Sequence, residues 1–240
     1  MKLEPSFRTM SRFTIITVLT TIFMLAAFCS TPANAAVALG ATRVVYPANQ
    51  KQVLLPVINN DADSVFLIQS WIENVQDKKD TQFVITPPLF TMKGKKENTL
   101  RIIDATNKQL PADRESLFWI NVKAIPASDE NQQSTNTLQL AIISRIKMFY
   151  RPANLSIAPD QAPAKLRFQH KGSSLALINP TPYFITVTNM KAGSRELDNV
   201  LVPPMSEELV PFPAGSSGDI TYQTINDYGA FTPRMKAIMQ

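Results

Sequence analysis

Residues 138–152 read LQLAIISRIKMFYRP, and this run decides how the rest of the chain is interpreted. Leu138, Leu140 and Ile142 occupy alternate positions, as they would on one face of a β-strand. Ile143 interrupts the alternation, and two cations follow before the run ends in proline. Two interpretations are therefore open. The run is either a central strand of a sandwich or a strand whose apolar side chains serve a partner molecule.

Earlier runs of the same kind are rich in Val, Ile, Phe or Thr and are bounded by Pro, Asn, Asp or a Gly-Lys turn. In chain order they are ATRVVYP, QVLLPVINND, VFLIQSWIENV, TQFVITPPLF, NTLRIID and LFWINVKAIP. Together with the first run they predict seven strands. Seven short strands in about 100 residues are typical of an immunoglobulin-like sandwich.

The strand pattern begins again after YRPANL, with KLRFQHK, SLALINP, YFITVTNMKAG, LVPPMS, EELVPF and ITYQTIND. No stretch has the apolar spacing of an amphipathic helix. We therefore predict an all-β fold of two immunoglobulin-like β-sandwich domains, residues 36–155 and 156–240. The polar stretch ASDENQQSTN, residues 127–136, predicts a mobile hairpin loop before the last strand of the first domain.

Residues 1–35 have the pattern of a secretory signal peptide. Three cations precede the apolar run FTIITVLTTIFMLAAF, and the segment ends in the small-x-small sequence ANA. We expect cleavage before Ala36 and export from the cytoplasm. The apolar run of 16 residues is shorter than the about 20 that span a membrane, so we expect no stable membrane insertion. Translation can start at Met1 or at Met10.

Cysteine and charge exclude several classes of protein. Cys29 is the one cysteine of the sequence, and the bulky Phe28 before it argues against a lipid-anchored start. The mature chain then has no disulfide, so its cores must hold it together. Removing the leader lowers the formal charge from +5 to +3, because three cations and one acidic residue leave with it. The remaining cations are dispersed apart from MKGKK, and we expect no nucleic-acid partner.

Catalytic and metal-binding patterns are weak. The sequence has one histidine, His170, before a predicted turn, where a solvated side chain is the default. A catalytic triad needs a base beside its nucleophile, and a zinc site needs three or four ligands. No glycine-rich phosphate loop is present. We therefore expect that the protein is not an enzyme and uses no cofactor.

Several motifs resemble the periplasmic chaperones of pilus assembly. They are LPADRESLFWINVKAIP, TPPLF, FYRP, NPTPYF and INDYG, and they follow one another along the whole mature chain. Within the family, the nearest likeness is to the members that build type 1 fimbriae. The resemblance implies two immunoglobulin-like domains in a boomerang arrangement. It also implies a chaperone that captures, folds and caps pilus subunits by donating a β-strand, and then delivers them to the outer-membrane usher for fimbrial assembly.

The resemblance also implies roles for particular residues. Leu138, Leu140 and Ile142 would form the donor strand, facing a groove of the subunit. Arg43 and Lys147 would bind the terminal carboxylate of the subunit through charge-assisted hydrogen bonds.

The resemblance implies one further assignment. Glu115, Arg151 and Asp227 would form a charge network that sets the angle between the domains. If Leu138, Leu140 and Ile142 instead serve a partner, Ile143 and Leu117 are the better candidates for the core of the chain itself.

Other kinds of protein are weighed against this interpretation. A pilin would have one domain and typically a disulfide. A secreted carbohydrate-binding β-sandwich protein would present a cluster of exposed aromatic residues on one loop end, and the sequence shows none. A structural fimbrial β-sandwich protein is the other alternative. The short polar loop and the missing cysteine pair resemble the short-loop branch of the family. The residues leave open which subunits and usher are served, and whether the free protein self-associates.

Overall fold

The computed structural model describes residues 36–107, 109–127 and 140–240, together with Thr17 and Thr20. Ala36–Gln240 forms one compact unit of the chain. This unit contains both predicted domains. Among the described residues, no helix combines the length and the hydropathy needed to cross a membrane.

The first domain is a sandwich of two sheets. Its strands are β1 (Val37–Leu39), β2 (Arg43–Pro47), β3 (Gln52–Asn59), β4 (Phe66–Glu73), β5 (Phe83–Thr86), β6 (Leu89–Met92), β7 (Glu97–Asp104), β8 (Ser116–Pro126) and β9 (Ile142–Arg151). One sheet has the order β1-β3-β7-β5, and the other, which we call the cleft sheet, has the order β2-β9-β8-β4-β6. Their inner faces enclose one apolar core.

Strand β8 shows why these runs become two-faced strands. Its alternate residues Phe118, Ile120 and Val122 are buried in the core, while Trp119 between them is only half-buried. Side chains of a strand alternate between its two faces, so β8 contributes one apolar face to the sandwich. Trp119 therefore lies on the outer face of the cleft sheet.

The second domain repeats the architecture. Its strands are β10 (Arg167–Lys171), β11 (Ser174–Asn179), β12 (Ile185–Ala192), β13 (Arg195–Glu196), β14 (Val200–Val202), β15 (Ser206–Pro211), β16 (Ile220–Thr224) and β17 (Met235–Lys236). Strands β10, β11 and β15 form one sheet, and β12 pairs with β13, β14 and β16 in the other, where β17 adds to β16. A second apolar core lies between them. The prediction of an all-β fold with two sandwiches is confirmed.

Some local expectations are wrong. Ile143 was expected in the core, but it is 52% exposed, because it shares the outer face of β9 with Lys147. Leu117 is half-buried on the same outer face, where it pairs with Phe149. The run TQFVITPPLF forms two strands, because prolines 87 and 88 separate β5 from β6. The predicted mobile loop lies outside the described residues except at Ala127.

Candidate functional site

Strand β9 has one unsatisfied edge. It pairs with β8 from Ile142 to Tyr150, but on its other side β2 pairs only with residues 147–151. Within the described part of the chain, Ile142–Ile146 therefore has a strand partner on one side only. An unpaired edge exposes backbone N–H and C=O groups that can accept another strand.

Large apolar side chains lead into this edge. Ile142 is 65% exposed at the start of β9, and Leu140 is 68% exposed just before it. Both lie an even number of residues from Met148, whose side chain points into the core. Their side chains therefore project from the same face of the strand as Met148. Leu138, the third residue assigned to the donor strand, lies outside the described residues. Exposed apolar rows of this kind mark interaction sites.

Arg43 and Lys147 meet where β2 joins β9. The two strands are parallel, and Arg43 is the Cα partner of Lys147. Both residues lie on the outer face of the cleft sheet, and both are half-buried. Neither side chain forms an ion pair within the described residues. The register therefore places two cations side by side, with no ion-pair partner in the described part of the chain.

The surroundings penalise both charges. Burial lowers the pKa of Arg43 below its ordinary value, although Asp227 and Glu115 act in the opposite direction. Burial also lowers the pKa of Lys147, and the nearby Arg43 charge adds to this effect. Arg43 Nη1 donates to Ile225 O at 3.1 Å, but its buried Nε has no partner among the described residues. An anion bound between the two side chains would satisfy these groups.

Glu115, Arg151 and Asp227 form one connected network of hydrogen bonds. Arg151 Nε donates to Glu115 Oε1 at 2.7 Å, and its Nη1 and Nη2 donate to the two Asp227 oxygens at 2.6 and 2.8 Å. Glu115 Oε2 also accepts the Phe184 amide at 2.8 Å. Since Glu115 and Arg151 belong to the first domain, the network joins the two sandwiches.

The network contains a buried carboxylate. Burial raises the pKa of Glu115, against the attraction of Arg151 and the hydrogen bond from the Phe184 amide. Burial alone would lower the pKa of Arg151, but its hydrogen bonds and attraction to Asp227 and Glu115 outweigh burial and raise it. A buried ion pair of this kind adds little net stability, because the cost of removing both charges from water offsets much of their attraction.

A cavity of about 460 Å³ lies between the domains beside Arg43. Phe149 and Phe184 line it, with their ring centroids 5.8 Å apart across the domain boundary. Arg151 and Asp227 also line the cavity. Arg43 and the charge network thus line one cleft.

The turn that follows Ile225 supports Arg43, and sequence reasoning missed this contact. Gly229 has φ of +82°, and a Cβ atom on it would lie 2.2 Å from Thr42 Oγ1. Thr42 directly precedes Arg43. The motif INDYG contains the signal, since glycine is the default residue at positive φ, but only the fold shows what the turn contacts.

Gly229→Ala should weaken binding at Arg43 as well as strain the turn. A left-handed alanine costs about 1–2 kcal/mol of stability, and the added methyl group would also displace Thr42. Gly215→Ala is the matched control, because Gly215 has φ of +78° and nothing within 4 Å of its Cβ position. The unfolding temperature should fall in both variants, whereas the affinity for an anion at Arg43 should fall only in Gly229→Ala. If both variants bind the anion equally well, the contact with Thr42 does not matter.

No group of three or more His, Cys, Asp or Glu residues in the described part of the chain is placed to hold a metal ion. His170 packs edge-on against Phe212 at 4.6 Å between ring centroids.

Both domains match families of known proteins. Residues 36–156 match the profile of "Pili and flagellar-assembly chaperone, PapD N-terminal domain". Residues 161–236 match "Pili assembly chaperone PapD, C-terminal domain". The two matches together span most of the described chain.

Individual proteins are similar over nearly the same range. The chain is 64% identical over 208 residues to Chaperone protein FimC of Escherichia coli K12, covering 87% of this chain and 86% of FimC. It is 62% identical over 207 residues to Chaperone protein FocC of Escherichia coli, covering 86% and 91% of the two chains.

Solved structures agree with these matches. The periplasmic chaperone SfaE matches with a TM-score of 0.75 and 60% identity. That match covers 85% of this chain and 100% of SfaE. The Salmonella enterica SafA pilin in complex with the SafB chaperone matches with a TM-score of 0.77 and 30% identity. That match covers 87% of this chain and 98% of the other.

Proposed function

This chain belongs to the family of pili-assembly chaperones, and from that premise we propose how its cleft recognises a pilus subunit. The role as a pilus chaperone rests on the identity with FimC and on the match to chaperone structures. In the proposed mechanism, β9 is donated to the subunit, and Arg43 and Lys147 bind the subunit's terminal carboxylate. The loaded chaperone then delivers the subunit to the outer-membrane usher.

One observation carries the mechanism: the free edge of β9 ends at the two unpaired cations. Strand β2 runs parallel to β9 and starts opposite Lys147. A subunit strand on the edge of Ile142–Ile146 would lie end to end with β2. If its carboxyl terminus reaches Arg43 and Lys147, that strand runs in the same direction as β9. Backbone pairing then supplies affinity, and the apolar side chains of β9 supply specificity.

The donated side chains provide the driving force. Full burial of an aliphatic side chain contributes about 1.5–3 kcal/mol. Leu138, Leu140 and Ile142 together would contribute roughly 5–9 kcal/mol before the segments are ordered. The anchored carboxylate sets the register, because a shift by one residue would turn every side chain to the other face.

The remaining assignments follow the same proposal. The chain acts in the periplasm without catalysis, after cleavage of residues 1–35 before Ala36. SfaE is described as periplasmic, and SafB is bound to a pilin, which supports this assignment for a chain of the same family. The domains comprise residues 36–155 and 156–240, and Glu115, Arg151 and Asp227 hold them in the arrangement that forms the cleft.

Hydrogen exchange on a complex recovered from the periplasm tests strand donation. Amides of Ile142–Ile146 that do not bond to β8 should exchange fast in the free chaperone and become protected when a subunit binds. The amides of β10 provide an internal control, because they lie in the other domain and should not change. If the β9 amides stay unprotected in a stable complex, the subunit is not held by strand addition.

A further inference from the structure

Four side chains form one row across the outer face of the cleft sheet. The strand registers make Glu73 the partner of Trp119, Trp119 the partner of Lys147, and Lys147 the partner of Arg43. Cross-strand partners lie next to each other on the same face of a sheet. The row therefore consists of an anion, an indole and two cations. The indole of Trp119 lies between Glu73 and the two cations Lys147 and Arg43, which we call the anchoring pair.

Trp119 contacts the anchoring lysine. Lys147 Nζ lies 5.2 Å from the centroid of the indole ring. The guanidinium of Arg145 lies over the same ring at 4.4 Å. Arg145 already has anionic partners, because it forms ion pairs with Asp77 and, at 3.4 Å, with Glu73. Among the described residues, Lys147 has no ion-pair partner and contacts the indole ring of Trp119.

Glu73 is directed away from the anchoring pair. Its Oε1 accepts a hydrogen bond from Trp71 Nε1 at 2.7 Å, and its Oε2 faces Arg145. Neighbouring strands are about 4.8 Å apart. Two such spacings separate the backbones of Glu73 and Lys147, which are therefore about 10 Å apart. Extended glutamate and lysine side chains can bridge that distance if no bulky side chain stands between them.

We propose that Trp119 is a positioning residue that holds the ammonium of Lys147 for the subunit carboxylate and separates it from Glu73. The inference rests on the proposed carboxylate anchor. A carboxylate attracts an ammonium group more strongly than an indole face does. Without the ring, Glu73 becomes an internal competitor, and the subunit terminus must displace it. With the ring, Lys147 stays charged, oriented and unpaired.

The test compares four variants with one ligand and its derivative. The ligand is a peptide copied from the carboxyl-terminal strand of a pilus subunit, and the derivative has its terminal carboxylate amidated. Trp119→Leu should bind the free acid about tenfold more weakly, equal to about 1.4 kcal/mol. Trp119→Phe should stay within about threefold of the native protein, because it keeps an aromatic face.

Rescue by a second substitution distinguishes positioning from packing. Glu73→Gln alone should stay within about threefold, because Lys147 does not use that carboxylate. In Trp119→Leu/Glu73→Gln the competitor is gone, and most of the lost affinity should return. A purely structural tryptophan predicts equal losses in the single and the double variant, and that result would overturn the inference.

The outcomes separate this inference from the proposed anchor. If the native protein binds the acid and the amide equally, the anchor itself is wrong. If it prefers the acid and Trp119→Leu keeps that preference in full, only the role of Trp119 is wrong. A measurement without variants guards against misfolding: ring current should shift the Lys147 ε-methylene protons upfield in the free native chain. Unshifted protons would refute the contact.

Discussion

Arg43→Ala and Lys147→Ala should each abolish subunit capture while leaving the chaperone folded. Loss of one partner from a buried, hydrogen-bonded charge pair costs about 2–5 kcal/mol of binding free energy, which is roughly 30- to 5,000-fold in affinity. The cleft provides that environment, because both side chains are half-buried and lie side by side in the parallel register. Titration with a subunit-derived peptide measures the loss.

Stability should respond differently from affinity. The folded state lowers the pKa of Lys147, so it binds this proton less tightly than the unfolded chain does. At neutral pH the charged ammonium therefore opposes folding, and the effect disappears as the pH rises through the unfolded-state pKa of lysine. Lys147→Ala removes this ammonium group and should leave the free energy of unfolding unchanged or slightly higher. Arg43→Ala loses the hydrogen bond to Ile225 and should be slightly less stable.

An exposed cation elsewhere provides the control. Arg101 lies on the outer face of the other sheet of the first domain, opposite Leu54, and Arg101→Ala should bind the peptide normally. Amidation of the peptide should weaken binding to the native chain much more than to Lys147→Ala. If amidation lowers both affinities equally, the ammonium and the carboxylate do not meet, and the anchor is refuted.

Alternating apolar residues were sufficient to predict most strands and the all-β fold. The pattern works because one face of each strand is buried in a sandwich core, as Phe118, Ile120 and Val122 show in β8. It fails for β1 and β13, which have three and two residues and are too short to show a period. The assignment of Ile143 to the core was also wrong, because its apolar character does not show which face of β9 borders the core.

The site was less accessible to sequence reasoning. Arg43 and Lys147 were assigned by resemblance, and no local pattern reveals that they are partners in a parallel ladder. Trp119 could be expected on a strand, but its position between Glu73 and Lys147 depends on two strand registers. The contact of Gly229 with Thr42 joins two domains. Relations of this kind arise from pairing between distant segments, which single-sequence periodicity does not contain.

Leu140→Glu should abolish subunit capture with little effect on folding. The native side chain is 68% exposed in the free chaperone, so the substitution removes almost no packing. In the complex, the leucine would contribute about 1.5–3 kcal/mol, and a carboxylate buried in its place without a partner adds a desolvation penalty. The combined loss should exceed about 100-fold in affinity. Pull-down of a subunit by the purified variant, together with thermal unfolding, measures both effects.

The control for this substitution is Leu54→Glu, since Leu54 is 56% exposed on the outer face of β3, in the sheet that faces the cleft sheet across the core. It introduces the same charge on an exposed apolar site of the same domain, and subunit capture should survive. A general effect of negative charge would impair both variants, which would refute the role of Leu140. Unfolding of Leu140→Glu alone would mean that this side chain supports the chaperone's own core. Selective loss of capture instead requires that the apolar side chains at the start of β9 are not needed by the chaperone itself, because its own sandwich is complete without them.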